Sequence, residues 1–568
     1  MFYLGYRRKI AVLLIFTGAF LLVTARMWVL QVRESWKYTA LALEQESQFV
    51  SAEEVWRGRI LDRNLVPLNG QREEKRLVIF PALIEKSAAE GIAKGLAPIL
   101  GVDPFELKER LLGAKSPFCL PHPLTEEQEK AVLERGWRGV MVLPFVYYYG
   151  ERPLAVNVAG HLGKIASPEE LHRLSQKGDK FYRLGDLVGK AGLEAIYEYE
   201  LKGVKPEYAA RIFYDAAGRI LPGSARVEEK ITDTSRCDVV LTLDGRIQAA
   251  VEDVMDKRGV RGAVVVLEAG SGDILAMASR PTYRPDRLTE VLRQGEDGAF
   301  IDRCTALYQP GSVFKIIVAA AAIEEGTASE ERTFFCRGKD DWPVGCHEEH
   351  GHGELDLKSA FALSCNPVFA RLGNELGAEK LATYAVRFGL ENQGAKGYPL
   401  DLDKRQDLTV MSKPYNLANV SIGQGPVLVS PLQVAAVVNA IVSGGVYTEP
   451  RLVQEVRSRS GRKVREVAAD PGVPVISPRT AGALRGMMEL AVESGTGKKA
   501  HLEYYGSAGK TGSAESGSRT DAWFAGYAPR DNPRYVAVVL VENGQSGGES
   551  AAPLFKEIME RILEDDRP

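Results

Sequence analysis

The order of strands and helices in the C-terminal half is the feature that most constrains the fold. Alternating and β-branched apolar residues predict strands at 239–243, 263–267, 274–278, 522–527 and 535–541. A helix is predicted after the first strand and another after the last, and the long segment between the early and late strands is mostly helical in pattern. This order predicts one large α/β domain whose sheet joins its first and last segments.

An apolar run at the N-terminus predicts a membrane anchor. Residues 10–32 carry a single charge, Arg26, and follow three basic residues, Arg7, Arg8 and Lys9. A helix of this length crosses a hydrocarbon core of about 30 Å, and the basic flank places the N-terminus in the cytoplasm. The alternative is a signal peptide cleaved after Ala25, although the run stays apolar beyond that site. We expect a single-pass membrane protein with the bulk of the chain outside the cytoplasm.

Composition excludes several other classes. The 72 Lys and Arg residues balance 75 Asp and Glu residues, which removes the basic field typical of a nucleic-acid binder. A mean hydropathy of −0.15 excludes a polytopic membrane protein. Six cysteines in 568 residues are too few for a disulfide scaffold.

Ser312 and Lys315 form the first candidate catalytic motif. They lie three residues apart after Pro310 and Gly311, so they share a face at the start of a buried helix. There the helix dipole favours developing negative charge, and a desolvated lysine accepts the proton of the hydroxyl. The pattern alone is weak, because an N-cap serine followed by a solvated lysine looks the same.

Two further motifs follow in order and strengthen this hypothesis. They are Ser364-Cys365-Asn366 and Lys510-Thr511-Gly512. The three together form the set of the penicillin-recognising acyltransferases. Flanking segments match as well, at 57–64, 160–163, 192–194, 423–425 and 522–527. The chain therefore resembles the class B high-molecular-weight penicillin-binding proteins, which are peptidoglycan D,D-transpeptidases.

The resemblance implies a domain organisation. Residues 236–568 would form a penicillin-recognising serine acyltransferase domain of the α/β (α+β) class, with an antiparallel central sheet and a helical insert. An elongated α+β pedestal, similar to a dimerisation domain, would span 33–235, after a transmembrane anchor at 10–32 and a cytoplasmic tail at 1–9. An elongation-type member is favoured, because no β-lactam-associated repeats follow the last helix.

The resemblance also implies catalytic roles. Ser312 would attack the penultimate D-alanine of a stem peptide and form an acyl-enzyme, with Lys315 as the base. Ser364 would relay a proton to the leaving amine, and Asn366 would hold the substrate backbone. Lys510 would add positive potential that disfavours protonated Lys315.

Substrate binding and partners follow from the same resemblance. Thr511 and Ser513 would bind the terminal carboxylate beside Gly512, and the backbone N–H groups of Ser312 and Ser513 would form the oxyanion hole. The partners would be peptidoglycan stem peptides and a SEDS-family glycosyltransferase, with β-lactams as inhibitors that acylate Ser312. No cofactor is required for this chemistry.

A cluster of cysteines and histidines surrounds the second motif. Cys336, Cys346, His352 and Cys365 form a four-ligand set suited to structural zinc, and some elongation-type relatives are similar in having metal ligands here. A disulfide between Cys336 and Cys346 is the main alternative, since the exterior is oxidising, and free buried thiols are the other. Cys119, Cys237 and Cys304 are scattered and fit ordinary small apolar positions.

Two other functions share some of these features. A β-lactamase or β-lactam sensor carries the same three motifs, but it would not need a pedestal. A non-catalytic cell-wall scaffold would keep the anchor and the pedestal, but intact Ser312, Lys315 and Lys510 argue against it.

Overall fold

The computed structural model describes residues 2–29, 47–51, 55–114, 118–204, 208–213, 226–229, 233, 235–295, 298–400, 406, 408, 411, 417–517 and 519–565. The chain divides into two compact units. The first unit contains 1–56, 72–147 and 205–233, and the second contains 57–71, 148–204 and 234–568. Two segments of the predicted pedestal, 57–71 and 148–204, thus belong to the same unit as the predicted transpeptidase domain.

The first unit begins with the helix Phe2–Trp28 and continues with two three-stranded sheets. One sheet has the order Ser47–Ser51, Tyr208–Phe213, Arg226–Glu229, and the other has the order Phe118–Pro123, Arg72–Ile79, Val140–Tyr147. Three helices accompany the second sheet, at Lys86–Leu100, Pro104–Gly113 and Glu126–Arg135. Their buried side chains, including Ile92, Leu96 and Leu111, pack against Leu77 and Ile79 of the central strand.

The predicted anchor falls on the N-terminal helix. Among the residues that the structure describes, no helix combines the length and the apolar character needed to cross a membrane. Residues 30–32, at the end of the predicted span, lie outside the described residues.

A five-stranded antiparallel sheet forms the centre of the second unit. Its order is Ile274–Arg280, Gly262–Glu268, Tyr535–Val541, Arg519–Ala528, Ala508–Ser516. Gly262–Glu268 pairs with Tyr535–Val541 along its whole length, from Gly262 opposite Val541 to Glu268 opposite Tyr535. The prediction that the sheet joins the two ends of the domain is therefore confirmed.

Both faces of this sheet are covered. Side chains such as Phe524 and Val539 pack with the helices Gly245–Arg258 and Ala552–Asp565. On the other face, side chains such as Trp523 and Val538 pack with the helical insert. Successive residues of each strand therefore contribute to two hydrophobic cores, one on each face of the sheet. The other helices of the unit are Val156–Ala159, Pro168–Ser175, Gly192–Ile196, Glu198–Leu201, Leu288–Gln294, Lys315–Glu324, Leu357–Ala362, Asn366–Leu376, Ala378–Arg387, Leu417–Ser421, Pro431–Val442 and Pro478–Glu493. The smaller strands are Ile60–Leu61, Leu162–Lys164, Leu187–Gly189, Cys237–Leu241, Thr333–Cys336, Gly353–Asp356, Val446–Tyr447, Val453–Ser458, Lys463–Glu466 and Val473–Pro474.

A buried ion cluster explains two of the flanking segments noted in the sequence. Arg57 donates to Glu194 at 2.5 Å and to Glu198 at 2.6 Å, and Tyr148 also donates to Glu194. Gly58 packs so closely on Cys237 that a Cβ there would lie 1.8 Å from the Cys237 carbonyl oxygen. These contacts hold segments 57–71 and 148–204 within the second unit.

Candidate active site

Ser312 lies in a tight turn whose backbone conformation requires a glycine at the preceding position, Gly311. The turn Gly311–Phe314 is a 3-10 helix that leads into the buried helix Lys315–Glu324. Gly311 has φ +53°, and a Cβ there would lie 2.6 Å from the Ser513 carbonyl oxygen. Its N–H donates to the Gly423 carbonyl oxygen at 2.9 Å. The backbone before Ser312 is therefore fixed against Ser513 on the edge strand of the sheet.

Lys315 is fully buried, and its hydrogen bonds go to the second motif. The Nζ atom donates to the Ser364 carbonyl oxygen at 2.7 Å, to Ser364 Oγ at 3.3 Å and to Asn366 Oδ1 at 2.6 Å. Burial lowers the pKa of Lys315 to about 7, partly offset by the thiols of Cys365 and Cys346. A substantial fraction of this amine is therefore neutral near pH 7, as a general base requires.

Ser364 bridges the two lysines. It occupies the left-handed region at φ +58°, in the turn between the helices Leu357–Ala362 and Asn366–Leu376. Lys510 Nζ donates to Ser364 Oγ at 2.9 Å and to the Thr511 carbonyl oxygen at 3.0 Å. The pKa of Lys510 lies well below its ordinary value, because the amine is buried and Lys315 is close. A strained serine between two amines marks a functional centre.

The third motif lies on the edge strand Ala508–Ser516, which is not among the strands predicted from the sequence. Residues such as Ala508, Gly509 and Gly512 have low β propensity, so local pattern did not show the strand. Small residues are required here, because a Cβ on Gly512 would lie 2.9 Å from the Pro310 carbonyl oxygen. The strand can thus approach the turn that carries Ser312.

The hydroxyl of Thr511 in the third motif and that of Ser513 directly after it already have hydrogen-bond partners within the protein. Thr511 Oγ1 lies 2.6 Å from Thr496 Oγ1, and Ser513 Oγ accepts from the Gly547 N–H at 3.1 Å. Thr496 was missed by the sequence reasoning. Its N–H donates to the Ala362 carbonyl oxygen at 3.1 Å, which ties the loop after the helix Pro478–Glu493 to the helix before Ser364. The signal for this loop is the run Ser-Gly-Thr-Gly at 494–497.

The four predicted zinc ligands come together. The Sγ atoms of Cys336, Cys346 and Cys365 and a ring nitrogen of His352 all lie within 4.8 Å of one another. Cys346 Sγ is 3.4 Å from His352 Nδ1. A hydrogen bond from Cys365 holds the pKa of the Cys346 thiol well below its ordinary value. Each cysteine is a free thiol, so Cys336 and Cys346 are not bonded to each other.

Together the three motifs form one site. A serine on a fixed turn, a largely desolvated lysine and a hydroxyl between two amines are the parts of an acyl-transfer site. The arrangement can activate Ser312 as a nucleophile and pass its proton along buried groups.

Comparison with known proteins identifies the family. The profile described as "Penicillin binding protein transpeptidase domain" matches residues 262–560, and that of the "Penicillin-binding Protein dimerisation domain" matches 52–235. Stage V sporulation protein D of Bacillus subtilis is 29% identical, over 98% of this chain and 85% of that protein. Peptidoglycan D,D-transpeptidase MrdA of Salmonella typhimurium is 26% identical, over 98% of this chain and 96% of that protein.

Solved structures support the same family assignment. A chain described under "Structural coordination of polymerization and crosslinking by a peptidoglycan synthase complex" is similar with a TM-score of 0.72 at 25% identity, over 99% of both chains. The D,D-transpeptidase domain of a peptidoglycan glycosyltransferase from Eggerthella lenta has a TM-score of 0.58 at 28% identity, over 76% of this chain and 94% of that domain. The chain therefore belongs to the class B penicillin-binding proteins and is a serine-type peptidoglycan D,D-transpeptidase.

Proposed function

We propose that Ser312 and the two buried lysines carry out the cross-linking reaction. Ser312 Oγ attacks the carbonyl carbon of the penultimate D-alanine of a donor stem, and its proton passes to neutral Lys315. The amide bond breaks, the terminal D-alanine leaves as an amine that receives a proton through Ser364, and an ester to Ser312 remains. An amine of a second stem then attacks the ester, which forms the cross-link and restores the hydroxyl.

The observation that carries this assignment is the position of Ser364 Oγ between the two amines, within 3.3 Å of Lys315 Nζ and 2.9 Å of Lys510 Nζ. Two amines buried this closely oppose each other's protonation, so one of them remains neutral. The backbone N–H groups of Ser312 and Ser513 would bind the developing oxyanion. Thr511 and Ser513 would exchange their protein partners for the substrate carboxylate, with Gly512 leaving room beside them.

The pH dependence of acylation tests the role of Lys315. Because the base acts in its neutral form, we expect the second-order rate constant for acylation by a fluorescent penicillin to rise with pH and to level off above the pKa of about 7. The rate constant is measured by gel fluorescence from pH 5.5 upward, with spontaneous penicillin hydrolysis subtracted. A flat profile, or one that falls through this range, would contradict the assignment.

We further propose that the chain is anchored in the cell membrane with its bulk outside the cytoplasm. The helix Phe2–Trp28 covers most of the predicted anchor at 10–32, and Phe16, Phe20 and Leu22 on it are at least 70% exposed. A glycosyltransferase of the SEDS family is the proposed partner, because the similar solved chain comes from a complex that couples polymerisation to crosslinking. We also propose the elongation-type role that the sequence resemblance favours.

Localisation tests this proposal. The full chain should sediment with membranes and resist alkaline extraction, because its residues 10–32 insert. A version that begins at residue 33 should remain in the soluble fraction while it still binds penicillin. A fluorescently tagged full chain should localise along the side wall of the cell if the role is in elongation. Septal fluorescence would contradict the elongation role, and soluble full-length chain would contradict the anchor.

We also propose that Cys336, Cys346, His352 and Cys365 bind a structural zinc ion. Tetrahedral zinc with Zn–S bonds of about 2.3 Å places its ligand atoms roughly 3.8 Å apart, which agrees with four donors within 4.8 Å of one another. Three sulfurs and one imidazole are also the donors that zinc prefers. All four positions are filled by protein, so such an ion would hold the loop that carries Ser364 and Asn366 and take no part in the chemistry.

A further inference from the structure

A threonine outside the three motifs, Thr496, connects the third motif to the helix before the second. It lies in the loop that follows the helix Pro478–Glu493, and it is partly buried. Thr496 Oγ1 lies 2.6 Å from Thr511 Oγ1 and 3.4 Å from the Ala362 carbonyl oxygen. Ala362 ends the helix that leads to Ser364. The proposed mechanism gives a task to Thr511 and none to Thr496.

The backbone holds this loop in place without the Thr496 hydroxyl. The Thr496 N–H already donates to the Ala362 carbonyl oxygen at 3.1 Å. A Cβ on Gly495 would lie 2.3 Å from that same oxygen, and a Cβ on Gly548 would lie 2.7 Å from the Thr496 carbonyl oxygen. Close backbone contacts therefore fix the loop on two sides, and they would remain if the hydroxyl were removed.

The hydroxyl of Thr511 depends on that of Thr496. Thr511 is only 6% exposed, and within the described part of the chain the partner of its hydroxyl is Thr496. Ser513 lies two residues along the same strand, and its Oγ accepts from a backbone N–H, that of Gly547, at 3.1 Å. A backbone donor has a fixed direction, whereas a hydroxyl rotates. Of the two hydroxyls proposed to bind the substrate carboxylate, only that of Thr511 is oriented by another side chain.

Proton counting shows what this side chain can do. Each hydroxyl has one proton, so when Thr496 donates to Ala362 in the free protein, Thr511 donates to Thr496. A carboxylate only accepts, so a bound substrate takes the Thr511 proton. Thr496 is then free to turn its own proton from the long contact with Ala362 to Thr511 Oγ1. A hydroxyl that accepts while it donates is a stronger donor, because the two bonds polarise each other.

We propose that Thr496 is a positioning residue for the terminal carboxylate of the substrate. It acts through Thr511: its hydroxyl donates to Thr511 Oγ1, which aims the Thr511 proton at the carboxylate and strengthens that bond. This assignment rests on the proposed function, which puts the carboxylate at Thr511 and Ser513. Thr496 makes and breaks no covalent bond, so its loss should weaken recognition of a carboxylate and leave the acyl-transfer step largely intact.

Two thioester donors that differ in a single group test this role. Both carry the same acyl group, which ends in D-alanine. The leaving group is thioglycolate in one donor and thioglycolamide in the other, so the first presents a carboxylate and the second a neutral carboxamide of similar size. Intact-protein mass spectrometry follows acyl-enzyme formation over a range of donor concentrations, which separates the apparent Kd from the limiting rate constant.

Thr496→Val keeps the branched shape of the side chain and removes the hydroxyl. It should lower the second-order rate constant for the thioglycolate donor by roughly five- to tenfold, which is the worth of about one net hydrogen bond. Most of the loss should appear as a higher apparent Kd, and the thioglycolamide donor should be slowed far less. Thr496→Ser restores a hydroxyl and should recover most of the loss. Thr496→Ala removes the hydroxyl in a second way, in case the valine variant folds poorly.

Thr383→Val is the matched control. Thr383 is exposed, and its hydroxyl donates to the Glu379 carbonyl oxygen within its own helix. This variant should therefore keep the wild-type rates with both donors.

The two donors also separate failure of this proposal from failure of the proposed function. If loss of the Thr496 hydroxyl slows both donors by the same factor, its role is only structural, and if it slows neither, it has no role. A wild type that does not distinguish the donors would remove the carboxylate site on which the proposal depends. Each of these results overturns the proposal while the serine mechanism stands. If wild type is acylated by neither donor and not by penicillin, the proposed function itself fails.

Discussion

Replacing Ser312 with alanine should abolish covalent labelling by a fluorescent penicillin and acyl-enzyme formation from a stem peptide. Loss of an essential nucleophile lowers turnover by a factor on the order of a million in a serine hydrolase. Among the described residues, the hydroxyl that contacts Lys315 is that of Ser364, which lies between two amines and accepts from Lys510. We therefore expect no substitute nucleophile. Intact-protein mass spectrometry after incubation with penicillin measures the loss directly.

A matched serine variant distinguishes loss of the nucleophile from loss of the fold. Ser175 is exposed at the end of the helix Pro168–Ser175, and its hydroxyl bonds only within its own helix. Ser175→Ala should therefore be labelled as wild type. Ser312→Ala should keep the wild-type circular dichroism spectrum, because the turn is held by Gly311 and not by the serine hydroxyl. Labelling that persists in Ser312→Ala would place the nucleophile elsewhere.

Much of the fold was predictable because its core strands carry strong local patterns. The strand Tyr535–Val541 has the predicted bounds, and the hairpin at 262–280 differs from its prediction by only a few residues. The strand Ala508–Ser516 was missed, since its small residues are selected by the close approach of Pro310 and Val313 to Gly512. Such a tertiary requirement leaves no periodic signal in the sequence.

The candidate site was predictable as a set of residues but not as a network. Motif order identified Ser312, Lys315, Ser364 and Lys510, and the structure brings the last three together. The hydrogen-bond partners of these side chains were not predictable, because the contacts depend on turns formed by segments far apart in the sequence. The role of Asn366 in holding substrate stays a prediction, and the structure adds that its Oδ1 accepts from Lys315.

The cysteine cluster was predictable because its four members are close in sequence. The second unit buries Cys336 and Cys365 completely, and the strand pair Thr333–Cys336 and Gly353–Asp356 brings Cys336 near His352. Sequence alone left zinc, a disulfide and free thiols open. We propose the metal on the convergence of three thiols and one imidazole, because a disulfide would use only two of these four donors.

If the proposed zinc is bound, replacing Cys346 with serine should remove it and slow acylation of Ser312 by about a hundredfold. Cys365 lies between Ser364 and Asn366, both of which bond to Lys315, so loosening this cluster displaces the partners of the base. A displacement of about 1 Å at a catalytic group is sufficient for such a loss. Zinc per chain is measured by mass spectrometry after purification without chelators, and melting temperature and penicillin acylation are measured on the same samples.

Cys119→Ser is the matched control for the zinc variant. Cys119 is a free thiol in the strand Phe118–Pro123 of the first unit, and it takes no part in the cluster. It should retain about one zinc per chain, with wild-type melting and acylation. Removing zinc from wild type with a chelator should reproduce the Cys346→Ser effect, because in both cases no ion holds the loop. If wild type carries no zinc and its thiols titrate freely, the cluster is not a metal site. If zinc is lost while acylation is unchanged, the ion does not position Ser364, and the coupling between this cluster and the catalytic lysine must be abandoned.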